Sequence, residues 1–113
     1  PKKLRVVITK NPKKYRKLEV AGRLKFTDKQ PKQILADLEK QNYKQALLIS
    51  GSEINTLFFK EKLVDEVWIT IEPKIFGPGN GLTAGQNLNV KLKLINSGKL
   101  NDNGTLLLKY KVL

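Results

Sequence analysis

Three rhythms of hydrophobic and polar residues run along this chain. Continuous apolar stretches occur at Val6-Val7-Ile8, at Ala46-Leu47-Leu48-Ile49 and at Val67-Trp68-Ile69-Thr70-Ile71. Each is too short to span a membrane and dense in strand-forming residues, so each predicts a strand buried on both faces. A helical spacing appears twice. Ile34, Leu35 and Leu38 share one face between Pro31 and about Gln41, with Pro31 in the first turn, where its missing N–H costs nothing. Ile54, Leu57 and Phe58 repeat the pattern from Glu53 onward.

Alternation with a period of two closes the chain. Residues 90–95 and 105–112 are joined by Asn101-Asp102-Asn103-Gly104 and predict an antiparallel hairpin. The short alternating segments 18–20 and 24–26, linked through Ala21-Gly22, predict one more edge-like strand. Residues 13–17 read first as a solvated, basic, turn-like loop, with anchoring of the loop by packing of Tyr15 as the alternative. Residues 76–81 are a glycine-rich turn, without the Gly-Lys-Ser/Thr of a nucleotide-binding phosphate loop.

The central order is therefore strand, small-residue turn at Ser50-Gly51-Ser52, helix, strand. In such a unit the turn lies at the amino end of the helix, where N–H groups without a helical acceptor and the helix dipole favour an anion. Gly51 has two local readings: a tight turn that needs positive φ, or a close approach of backbone to a phosphate.

Composition narrows the chemistry. At 113 residues and 40% hydrophobic the chain predicts one globular domain, residues 1–113. Cysteine and histidine are absent, which removes disulfides, thiolate metal sites and histidine-based triads. No apolar stretch reaches the roughly 20 residues of a membrane helix, and the default expectation is a cytoplasmic location. The net charge of +12 is concentrated early: residues 1–44 carry 14 Lys and Arg against four acids, residues 45–113 eight against six. A basic surface attracts nucleic acid, but no established nucleic-acid-binding motif is present.

The run Ile49-Ser50-Gly51-Ser52-Glu53-Ile54, then Leu63-Val64-Asp65-Glu66 and Thr70-Ile71-Glu72-Pro73 with Phe76-Gly77, resembles the carboxy-terminal half of the dihydrofolate-reductase-like superfamily. That superfamily includes dihydrofolate reductases and the reductase domain of riboflavin biosynthesis. The resemblance implies an α/β fold: a mixed sheet with flanking helices and a carboxy-terminal antiparallel hairpin, lacking the family's amino-terminal strands. It implies NADPH as cofactor, with the pyrophosphate at Ser50, Gly51, Ser52, Glu53 and Ile54, and the 2′-phosphate at Thr9 and Lys10. Ile49 and Thr70 are the implied substrate neighbours. Where the family pair is Gly-Gly, this chain has Ser50-Gly51, and Ser50 adds a hydroxyl donor.

The family's substrate-facing carboxylate precedes the part represented here, so no residue is assigned as catalytic proton donor and none as metal ligand. Asp65 and Glu66 are expected to be structural, capping or pairing with Lys60 or Lys62. The chain opens about a third of the way into the family pattern, and Pro1 is compatible with loss of an initiator methionine or with a fragment boundary. Absent central strands would leave a cut sheet edge. That edge is expected to be covered by a second copy, in a homo-oligomer, or by a separate polypeptide carrying the amino-terminal segment. The implied activity is reduction of a pterin or pyrimidine-type substrate in folate or riboflavin metabolism. The competing readings are a non-catalytic oligomerisation or binding module and a basic nucleic-acid-binding domain.

Overall fold

A computed structural model describes residues 3–85 and 87–113. Pro1, on which the question of a natural start turns, lies outside the described residues. The chain divides into two compact units, Pro1–Gln45 and Ala46–Leu113.

In the first unit, β1 (Arg5–Ile8) and β2 (Leu24–Thr27) form a parallel pair, with Val7 opposite Phe26. The pairing extends at both ends through Arg5 N–H to Arg23 O (2.9 Å) and Thr9 N–H to Thr27 O (2.8 Å). The basic segment between them is more regular than a turn. It forms α1 (Pro12–Tyr15), with Pro12 in the first turn, and a 3-10 turn at Arg16–Leu18. Tyr15 stacks on Phe26 at 5.4 Å between centroids, so the segment is anchored by packing and not simply a solvated charged loop.

Helix α2 (Pro31–Lys40) buries Pro31 and Ile34. It ends with Asn42 at φ 68°, Asn42 N–H bonded to Glu39 O (3.0 Å) and Tyr43 N–H to Leu38 O (3.1 Å). This Schellman motif satisfies the last carbonyls of the helix.

The second unit departs from expectation at its start. Residues 46–49 form no strand, and Leu47, Leu48 and Ile49 are exposed. A strand needs a neighbour for its N–H and C=O groups, and no described strand pairs with this run. Helix α3 (Ser52–Lys60) follows, burying Thr56 and Phe58. It ends in a second Schellman motif, with Lys62 at φ 57°, Lys62 N–H to Phe59 O (3.0 Å) and Leu63 N–H to Phe58 O (3.0 Å).

Strands β3 (Glu66–Ile71), β4 (Leu92–Lys99) and β5 (Leu106–Val112) then form an antiparallel sheet in the order β3-β5-β4. The predicted hairpin is present. Gly104 sits at φ 95° and Asn101 Oδ1 accepts the N–H groups of Asn103 (3.0 Å) and Thr105 (3.3 Å). Two strands expected in the interior are not there: β3 is an edge of its sheet and β1 pairs with β2 alone.

The pleat separates the sheet's faces. Val67, Ile69 and Ile71 stand opposite Tyr110, Leu108 and Leu106, and Leu94 continues the row beyond Tyr110. Trp68, Lys109, Lys111 and Lys93 share the other face. A register shift between Leu94 and Asn96 makes Ile95 the extra residue of a bulge.

Candidate functional site

The turn at residues 50–54 is the amino end of α3. Gly51 is the N-cap, and the first intrahelical bond runs from Asn55 N–H to Gly51 O (3.1 Å). The N–H groups of Ser52, Glu53 and Ile54 precede that bond, so no carbonyl of the helix serves them. No side chain caps this end. Together with the helix dipole these donors attract negative charge. Glu53, exposed in the first turn, already places a carboxylate near that end, and an incoming anion meets its charge.

Gly51 resolves one of its two readings. Its backbone has φ −78° and ψ 177°, an extended conformation open to any residue, so the turn does not need glycine for a positive φ. A Cβ built there would meet nothing within 4 Å. The position therefore has open space where a side chain would stand.

Ser50 does something other than expected. Its hydroxyl donates to Asn55 Oδ1 (2.6 Å), so its proton is turned toward the helix instead of toward a ligand. Asn55 Nδ2 in turn donates to Leu82 O (2.9 Å) and Ser50 O (3.4 Å). One turn further on, buried Thr56 donates to Ser52 O (2.7 Å) and accepts Ala84 N–H (2.9 Å). The segment after the glycine-rich turn is thus pinned at Leu82 and Ala84 to the first half of α3. Asn55 and Thr56 were missed by sequence reasoning. Their one visible signal was two polar residues beside the apolar positions Ile54, Leu57 and Phe58.

Of the other predicted residues, exposed Ile49 immediately precedes the turn, and Thr70 stands on β3 opposite Leu107. Thr9 and Lys10 belong to the first unit. Thr9 Oγ1 accepts Asn11 N–H (3.2 Å). Lys10 lines an open cleft of about 520 Å³ with Asn11, Pro12, Lys13, Lys14 and Asp28. Three lysines against one aspartate make this open surface basic. Asp65 and Glu66 do not form the expected ion pairs. Asp65 O accepts Val112 N–H (2.9 Å), and Glu66 Oε1 accepts Trp68 Nε1–H (2.9 Å) while Lys109 Nζ lies 4.1 Å from the indole centroid. The ion pair between Lys29 and Asp37 (2.8 Å) lowers the Asp37 pKa through the lysine's hydrogen bond. No helix among the described residues is long and apolar enough to cross a membrane.

A parallel strand pair followed by helices and an antiparallel sheet ending in a hairpin, with an open helix amino end between, defines a dihydrofolate-reductase-like α/β protein. Residues 2–106 match the RibD C-terminal domain family, and the chain belongs to that family. Two solved structures share the fold. A putative riboflavin biosynthesis protein from Shewanella sp. PV-4 superposes with a TM-score of 0.69 at 24% identity over 97% of this chain and 58% of its own. RibD from Acinetobacter baumannii gives 0.71 at 20% identity, over 96% of this chain and 31% of its own. The chain thus spans under two thirds of either structure. No curated protein matches the sequence significantly.

Proposed function

We propose that this chain is the cofactor-binding part of an NADPH-dependent reductase that acts on a pterin or pyrimidine-type substrate, in the manner of riboflavin-pathway and dihydrofolate reductases, in the cytoplasm. The observation that carries the reading is the amino end of α3. Three N–H groups without helical acceptors stand behind a glycine that its own backbone conformation does not require. Ser52, Glu53 and Ile54 bind the pyrophosphate through backbone N–H groups, Gly51 admits it, and Ser50 holds Asn55. The family resemblance assigns the 2′-phosphate to Thr9 and Lys10, which would select NADPH over NADH. When bound, NADPH supplies the hydride. Ile49 and Thr70 border the substrate. No residue of the chain is assigned the proton transfer.

Calorimetric titration of the chain with NADPH and with NADH, at low and moderate salt, tests this. The expected result is saturable binding at least tenfold tighter for NADPH, with the preference reduced by Lys10→Ala. Absence of binding to a folded sample overturns the cofactor reading.

A second reading draws on the other face of the sheet, where Lys93, Lys109 and Lys111 accompany the half-exposed Trp68. Lysines beside an exposed aromatic suit single-stranded nucleic acid. Binding that falls steeply with salt and ignores the nicotinamide would favour it.

A further inference from the structure

The chain contains two Asn-Gly pairs, Asn80-Gly81 and Asn103-Gly104, and the fold holds them in opposite ways. An asparagine followed by glycine is open to attack by its own main chain, because glycine has no Cβ to screen the backbone nitrogen. Two conditions then govern the attack. That nitrogen must give up its proton, and the backbone must swing it toward the side-chain amide carbon. A hydrogen bond from the N–H opposes the first, and a tied turn opposes the second.

Both restraints are present at the hairpin. Gly104 N–H donates to Asn101 O (3.3 Å), and Leu100 N–H to Thr105 O (2.7 Å) closes the turn. Asn103 N–H and Thr105 N–H, on either side of Gly104, donate to Asn101 Oδ1 (3.0 and 3.3 Å). Asn101 Nδ2 donates to the hydroxyl of buried Thr105 (3.0 Å), which donates in turn to Glu72 Oε2 (3.1 Å). Three consecutive N–H groups therefore end on Asn101, and the turn is fastened to the segment after β3.

Neither restraint is present at the other pair. Residues 75–81 are exposed and belong to no helix or strand. Among the described residues, Asn80 and Gly81 make no hydrogen bond. The next anchor along the chain is Leu82 O, which accepts Asn55 Nδ2 (2.9 Å).

We infer that Asn80 is a site of spontaneous deamidation, and that the hairpin turn protects the same dipeptide at Asn103. In the first step the Gly81 nitrogen loses its proton to a base and bonds to Asn80 Cγ, while the Cγ–Nδ2 bond breaks and ammonia leaves. Water then opens the cyclic imide. Cleavage of the new bond at Cγ gives aspartate, and cleavage at the main-chain carbonyl gives isoaspartate. Water is the co-reactant, and nothing is oxidised or reduced. Either product places a carboxylate two residues before the anchored Leu82.

The test incubates the whole 113-residue chain in mildly alkaline buffer, with and without guanidinium chloride. Proteolysis and mass spectrometry follow amide-to-acid conversion and isoaspartate at each pair. In buffer, conversion at Asn80 is expected to run at least tenfold faster than at Asn103 and to rise with pH. In guanidinium, where the turn is undone, Asn103 is expected to come within threefold of Asn80. Gly81 is not at positive φ, and a Cβ there meets Thr83 O at 3.4 Å, so Gly81→Ala leaves the backbone conformation accessible. This variant is expected to slow conversion at Asn80 at least fivefold without changing Asn103. Two results overturn the inference: conversion at Asn103 within threefold of Asn80 in buffer, or a tenfold gap that persists in guanidinium. The second would put the cause in the flanking residues and not in the fold.

Discussion

Replacing Gly51 with valine separates the site from the scaffold, because the geometry at this residue predicts opposite sensitivities for folding and binding. With φ −78° and ψ 177° the backbone accepts a branched side chain, and a Cβ finds nothing within 4 Å. Valine is a poorer N-cap than glycine by about 1 kcal/mol. The loss of chain entropy in the unfolded state offsets roughly 0.4–1 kcal/mol of that. The net change in stability should therefore stay below about 1 kcal/mol. Binding is another matter. With the pyrophosphate at this turn, as proposed, the added methyl groups compete with it for the open space beside Gly51. Loss of two charge-assisted hydrogen bonds at about 1.5 kcal/mol each gives about 3 kcal/mol, or roughly 150-fold in Kd. Denaturant titration supplies the first quantity and calorimetry with NADPH the second. A Gly51→Val protein that binds NADPH within threefold of wild type would refute the placement of the pyrophosphate at this turn. Unfolding of the variant would instead refute the claim that the turn tolerates a side chain.

Thr56→Val keeps the shape of a buried side chain but leaves Ala84 N–H without its acceptor. It should cost about 1–2 kcal/mol in denaturant titration and speed hydrogen exchange at Ala84, whereas Thr56→Ser should retain both. Lys62→Gly removes a Cβ from a residue at φ 57° in the α3 Schellman motif. It should stabilise the chain by about 0.5–1 kcal/mol, seen as a rise of a few degrees in Tm. Because Lys29 lowers the Asp37 pKa in the folded state, the pair's contribution is present above the ordinary carboxylate value of 3.8. It is lost as pH falls through the lowered one. Lys29→Met should flatten that acid-side slope, and an unchanged slope in acid denaturation would count against the pair.

Helices and the hairpin were legible because their causes are local. Pro31 and the spacing of Ile34, Leu35 and Leu38 predict α2 to within a residue, and Asn103-Gly104 between two alternating segments predicts the β4–β5 turn. Tyr15 was only half legible: the lysines around it favour a solvated loop, and its stacking partner Phe26 stands on β2, outside any local pattern. The Ser50-Gly51-Ser52 turn was legible as the amino end of a helix. The role of Gly51 was not, since an open approach and a positive φ call for the same residue and only the backbone angles tell them apart. Asn55 and Thr56 were illegible for a different reason: their partners Leu82 and Ala84 lie 27 and 28 residues away, and no local pattern encodes that contact.

The failure at residues 46–49 has a cause of its own. Composition specifies the environment a strand requires, whereas its partners are set by register with segments that can lie anywhere, including on another chain. Ala46-Leu47-Leu48-Ile49 is written for burial on both faces, and the described residues leave Leu47 and Ile49 in solvent. The same mismatch recurs at β3, whose Val-Trp-Ile-Thr-Ile core carries interior composition into an edge position. Ile95 shows the reverse case. Alternation through residues 90–95 predicts a regular strand, yet the bulge places an extra residue there and shields the β4 edge.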